Sequence, residues 1–160
     1  MSDVYLALGS NIDPRANIDR ALAELRGRYR LLRLSPRYET LPWGFSPQLN
    51  FLNCVVHIVT TETPWATLRV GQQLEQRLAR RHGVRNGPRT IDVDLLLHGQ
   101  TVLATPMLTI PHPGLSERDF MLLPLLDLGM SMRDPRSDQP LAAARYHLRY
   151  RCIRGAWRHE

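Results

Sequence analysis

Lysine is absent from this 160-residue chain, and all 21 basic residues are arginine. That absence removes several chemistries. A Walker A loop places a lysine on nucleotide phosphates, a protein kinase uses a strand lysine, and a Schiff-base enzyme needs the amine itself. No two of the ten glycines are spaced as G-x-G, so the dinucleotide fingerprint is missing too. If the protein handles nucleotide phosphates, arginine and metal must neutralise them. Cysteine is scarce as well. Cys54 and Cys152 are too few for a disulfide framework and read as free thiols in a reducing compartment, which makes the cytoplasm the expected location. No apolar run approaches the roughly 20 residues that cross a bilayer. Met1-Ser2-Asp3-Val4 lacks the basic and apolar segments of a secretory leader, so neither a leader nor a membrane partner is expected.

What is present is ordinary for a globular chain: 43% of residues are hydrophobic, and the length suits one domain spanning 1–160. The formal charge of +6 invites a nucleic-acid reading. Its distribution argues against one, because residues 140–160, with Arg145, Arg149, Arg151, Arg154 and Arg158, carry most of the excess. These five arginines are expected on a solvated surface.

Periodicity orders the elements. Val4 to Leu8 reads as a buried strand ending at Gly9-Ser10-Asn11. Asp13-Pro14 has the form of a helix start, Ile18, Ala21, Leu22 and Leu25 mark its buried face, and Gly27 is placed to end it. Leu32, Leu34, Pro36 and Tyr38 alternate as a second strand, followed by a proline- and glycine-bearing loop over 40–47. In the strand Phe51–Thr60, Leu52, Cys54, Val56 and Ile58 share one face, and Phe51, Asn53, Val55 and His57 the other. Thr63-Pro64 opens a second helix with Leu74 and Leu78 inward. Arg80 to Arg89 reads as a basic loop and Ile91 to Leu97 as a strand. Thr101 to Ile110 suggests a hairpin, and Ser116 with Asp119 a capped helix that Pro124 kinks. The order strand, helix, strand, strand, helix, strand gives an α+β fold. It is a ferredoxin-like split β-α-β core, an antiparallel sheet with helices packed on one face, plus C-terminal additions.

Chemistry concentrates in Arg89-Thr90-Ile91-Asp92-Val93-Asp94. Within a strand, Asp92 and Asp94 project from one face with side chains about 5–7 Å apart. Such a pair suits magnesium, which fills its remaining sites with water and substrate phosphate. The spacing is met equally by two solvated acids on a half-buried strand. Upstream, Arg80, Arg81, Arg85 and Arg89 lie in a segment that Gly83, Gly87 and Pro88 let bend, and guanidinium groups suit phosphate oxygens. Phe51 and Asn53 could stack on and hydrogen-bond a flat heterocycle, with Trp43, Phe45 and Phe120 completing the slot; each aromatic also suits a core. His112, in Pro-His-Pro, could contact a phosphate or ribose or hold a turn.

Five segments in order resemble the 6-hydroxymethyl-7,8-dihydropterin pyrophosphokinase family. They are Tyr5 to Asn11, Tyr38-Glu39-Thr40-Leu41-Pro42-Trp43-Gly44, Phe51-Leu52-Asn53, Arg85 to Asp94, and Ile110-Pro111-His112 through Arg118-Asp119-Phe120-Met121. The resemblance implies pyrophosphate transfer from ATP to the pterin alcohol, releasing AMP, in folate biosynthesis. It implies two magnesium ions on Asp92 and Asp94, with Arg80 and Arg89 as the catalytic phosphate contacts. Gln72, Glu75, Asn86, Arg89, His112 and Arg118 match nucleotide-binding positions. Thr40, Leu41, Pro42, Trp43, Phe51, Asn53 and Phe120 match the pterin pocket, and the 43–47 and 80–88 loops would close as lids. The expected partners are ATP and the pterin, with no nucleic acid, and the expected state is a monomer. Two other readings stand beside it: another D-x-D metal-dependent nucleotide transferase, and an RNA-binding ferredoxin-like module, whose aromatic strand signature is missing.

Overall fold

The alternation Val4, Leu6, Leu8 against Tyr5, Ala7, Gly9 makes β1 (Ser2–Ser10) the central strand, apolar on both faces. The computed structural model describes residues 1–42, 48–82 and 90–157. β1 pairs antiparallel with β4 (Phe51–Thr60) on one side and β5 (Asp92–His98) on the other. β3 (Arg37–Thr40) continues the sheet beyond β4, and β8 (Ile153–Trp157) forms the far edge, giving the order β5-β1-β4-β3-β8. β2 (Arg30–Leu34) also pairs with β4. The first four strand positions, with α1 (Pro14–Arg28) and α2 (Pro64–His82), are the split β-α-β arrangement that the element order predicts. The Thr101–Ile110 segment forms a small ribbon of β6 (Leu103–Ala104) and β7 (Thr109–Ile110). Among the described residues, no helix is long and apolar enough to cross a membrane.

Two cores flank the sheet. Val4, Leu6, Leu8, Leu52, Cys54, Val56, Ile58, Val93 and Leu95 meet Ile18, Leu22 and Leu25 of α1 and Leu74 and Leu78 of α2. On the opposite face, Ala7, Val55, Leu96 and Leu97 meet Met121, Leu122 and Leu125 of α3 (Asp119–Leu126), along with Leu141 and Leu148. Helices therefore cover both faces, where the sequence suggested one. The apolar run of α3 supplies the second cover, and β5 adds to it: that strand carries an extra residue against β1, with Leu95 opposite Leu6 but Leu97 opposite Tyr5. This bulge puts both Leu96 and Leu97 in the second core.

Several local expectations are corrected. Asp13 precedes α1 but makes no side-chain cap; its backbone is left-handed at φ 38°, and Asn17 Nδ2 binds the Ile12 carbonyl instead at 2.5 Å. Gly27 does not end α1, which runs to Arg28. α2 runs through 80–82, which were expected in a loop. Its start is as expected, with Ala66 N–H donating to Thr63 Oγ1 at 3.2 Å. Ser116 does not cap α3, since its hydroxyl turns to the Pro113 carbonyl at 3.4 Å. Leu32 and Leu34 face outward, and Leu31 packs on the core. The tail contributes a strand, β8, with Arg154 exposed on it.

The expected second strand is broken in two by Pro36, which has no N–H for the ladder. Ser35 bridges the break. Its N–H donates to the Val55 carbonyl at 2.9 Å, and its hydroxyl oxygen accepts the Val55 N–H at 2.8 Å. Both residues are buried. Ser35→Ala strands the Val55 N–H and is expected to lower unfolding free energy by about 1–3 kcal/mol in urea titrations. A loss within error of zero would mean that the hydroxyl is dispensable.

Candidate active site

The register of four strands builds the site. Asp92 lies opposite Gly9 and Asp94 opposite Ala7. Across β1, Gly9 lies opposite Asn53 and Ala7 opposite Val55, and beyond β4 Tyr38 lies opposite Asn53 and Thr40 opposite Phe51. Directly opposed residues share a face. One row therefore runs Asp92, Gly9, Asn53, Tyr38, and Asp94 and Phe51 flank it on the α3 side of the sheet. Ile91, Val93 and Leu95 point to the other side and are buried. Asp92 and Asn53 stand two strand spacings apart, about 10 Å.

His112 closes one end. It follows the cis Ile110–Pro111 peptide, and its N–H donates to the Leu96 carbonyl at 3.0 Å. Nδ1 accepts the Gly114 N–H at 2.9 Å, and Nε2 is 3.8 Å from Asp94 Oδ1. Burial pushes the imidazole down to about 4, and the positive charge of Arg118 adds to the effect. The ring is thus neutral at pH 7 with its proton on Nε2, facing the acid. Arg118 lies against the same turn, its Cδ 3.1 Å from where a Cβ on Gly114 would sit. Asp94, neutral His112 and Arg118 form one polar corner.

The other end is amphipathic. Thr40 is buried, and its hydroxyl accepts from Asn53 Nδ2 at 2.6 Å. This turns Asn53 Oδ1 over Gly9. Phe51 and Phe120 are both half-buried, with Phe120 packed on the α3 core. Leu41 and Pro42 follow β3, and Leu41 N–H donates to the Cys152 carbonyl at 2.8 Å.

On α2, Glu75 reaches the outer edge of β5, where Oε1 accepts the Val93 N–H at 3.4 Å, between the two acids in sequence. Gln72 is exposed one turn away. Trp43, Asn86 and Arg89, the side chains of Arg80 and Arg81, the expected lid 43–47 and residues 83–88 of the expected lid 80–88 lie outside the described residues, while 80–82 belong to α2. A groove of about 590 Å³ opens elsewhere, between Asp13–Asp19 of the α1 start and Glu39, Asn50 and Phe51. Of the expected site residues it takes in Phe51 alone.

Two contributors are not evident as site residues from the sequence alone: Gly9, whose role appears only from the strand pairing, and Tyr38, which strand alternation from Thr40 puts on the same face. Among the described residues no group of three acid, histidine or cysteine side chains could hold a metal. The donor set of two carboxylates on one face suits an ion that completes its shell with phosphate and water, not an all-protein cage.

Gly9 matters through close approach. A Cβ there would fall 2.5 Å from Asn53 Oδ1. Gly9→Ala is expected to displace the Asn53 amide and cost about 1–3 kcal/mol in thermal or urea unfolding. An unchanged transition would show that the amide can move freely.

A family model described as 7,8-dihydro-6-hydroxymethylpterin-pyrophosphokinase (HPPK) matches residues 5–130. The 2-amino-4-hydroxy-6-hydroxymethyldihydropteridine pyrophosphokinase of Aquifex aeolicus is 37% identical over 142 residues, covering 88% of this chain and 89% of that protein. The Folic acid synthesis protein fol1 of Schizosaccharomyces pombe is 43% identical over 143 residues, and this chain spans 20% of its length. In structure, a Plasmodium falciparum HPPK-DHPS aligns with a TM-score of 0.72 at 15% identity, covering 91% of this chain and 45% of that one, which shows the shared fold. With the family model matching most of its length, the chain belongs to the 7,8-dihydro-6-hydroxymethylpterin-pyrophosphokinase family.

Proposed function

We propose that this chain performs its family's reaction on the α3 face of the sheet, and we assign the parts as follows. The substrates are ATP and 6-hydroxymethyl-7,8-dihydropterin, and the products AMP and the pterin diphosphate, made for folate biosynthesis. The hydroxymethyl oxygen bonds to the β-phosphorus, the bond from that phosphorus to the α,β-bridging oxygen breaks, and AMP leaves. The hydroxyl proton is released. Such transfer depends on alignment and charge neutralisation more than on covalent help.

The observation that carries the assignment is the row Asp92–Gly9–Asn53. It sets a carboxylate pair and an amide about 10 Å apart on one face, a span suited to a bicyclic ring with its hydroxymethyl arm and the phosphate beyond it. Asn53, oriented by Thr40, hydrogen-bonds the edge of the pterin. Phe51 and Phe120 hold its faces or edge, and Leu41, Pro42 and Trp43 are assigned to the same substrate. Asp92 and Asp94 would hold two magnesium ions, which when bound neutralise the triphosphate and keep its oxygens in line. Arg118 and neutral His112 contact the phosphate end. Gln72, Glu75 and Asn86 serve the nucleotide, and Arg80 and Arg89 the transferring group.

Incubation with magnesium, ATP and the pterin should yield pterin-dependent AMP, and chelation should abolish it. ADP with a pterin monophosphate would keep the site but change the bond that breaks. Asp94→Asn is expected to lower kcat by about 100-fold or more with its circular dichroism unchanged. Near-normal turnover would remove the metal role. Phe51→Ala should raise the KM for pterin about tenfold, a stacking loss of roughly 1.4 kcal/mol, and leave that for ATP nearly unchanged. Equal losses for both substrates would move Phe51 out of the pterin slot.

A further inference from the structure

We propose that Tyr150–Ile153 is a brace tying together two substrate-holding segments, with Asp119 as the positioning residue at its centre. The inference rests on the assignment of Thr40–Leu41 and of Arg118–Phe120 to substrate binding. These two segments are far apart in sequence, and the C-terminal stretch touches both. Asp119 N–H donates to the Tyr150 carbonyl at 3.0 Å, and Tyr150 N–H to the Glu117 carbonyl at 2.8 Å. Two residues on, Leu41 N–H donates to the Cys152 carbonyl at 2.8 Å, and Ile153 lies opposite Thr40. Between these contacts, Ile153 N–H donates to Asp119 Oδ2 at 2.9 Å. One short segment leading into β8 thus ties the start of α3 to the end of β3.

Asp119 is 5% exposed, and its Oδ1 has no hydrogen-bond partner among the described residues. Burying a carboxylate with one oxygen unpaired costs free energy, which the hydrogen bond from Ile153 to the other oxygen offsets only in part. Helix capping does not account for it, because α3 begins without a side-chain cap. The residue touches no substrate in the proposed arrangement. It acts through its neighbours Arg118 and Phe120, and through β8 on Thr40 and Leu41. A shift of about 1 Å between the two segments would misalign pterin and phosphate.

The test uses the intact chain with Asp119→Ala, Asp119→Asn and Ile153→Pro. Asp119→Ala should raise the KM for pterin about tenfold, more than it lowers kcat, and speed amide exchange at Leu41. Asp119→Asn keeps an acceptor and should restore both within about threefold. Ile153→Pro removes the donor from the other side, at an edge strand that tolerates proline, and should reproduce the Ala phenotype with Asp119 in place. It also serves if Asp119→Ala does not fold. Unchanged KM and Leu41 protection in Asp119→Ala, failure of Asp119→Asn to rescue, or a wild-type profile in Ile153→Pro would overturn the brace. Exchange at Leu41 needs no turnover. Lost protection there supports the brace even if the substrate assignment fails, and intact protection overturns it even if that assignment stands.

Discussion

The pairing of β1 with β4 and β5 is the constraint on which everything else depends. Both faces of β1 are buried, so its register against each neighbour cannot slide. A one-residue slip of β5 would send Asp92 and Asp94 into the helical core and bring Val93 out. A slip of β4 would do the same to Asn53 and Phe51. The acid pair and the amide are therefore held by the hydrophobic alternation of residues that take no part in chemistry.

The site also carries an electrostatic load. Two carboxylates about 6 Å apart repel by about 3 kcal/mol at an effective dielectric of 20, and less once solvent reaches them. Asp94 is 41% exposed, which limits the cost while leaving the face open to a cation. The neighbouring imidazole is neutral and adds no charge of its own. Arginine supplies the fixed positive charge throughout, Arg118 at this corner among them, as a chain without lysine requires.

What the sequence made legible follows from periodicity. The faces of β1, β4 and β5, the buried stripe of α1 and the shared direction of Asp92 and Asp94 all come from spacings of two or three to four residues. The Ser35 bridge was hidden because Pro36 announces a break without saying what spans it. β8 was hidden because an edge strand bearing Arg154 and Gly155 shows no apolar alternation. The second core was foreshadowed by the unbroken run Leu95-Leu96-Leu97, which no single-faced strand would need. Asp119 resembled a first-turn helix acid, and only the folded tail shows what its carboxylate holds.

The extra residue in β5 divides that strand into two independently phased halves. Asp92–Leu95 keeps step with Leu6–Gly9, and Leu97–His98 with Val4–Tyr5. Leu96 absorbs the mismatch between them, like an expansion joint. Changes in the distal half, around His98 and Gly99, can alter its packing without rotating the acids. The acid-bearing end of the strand is insulated from drift at the other.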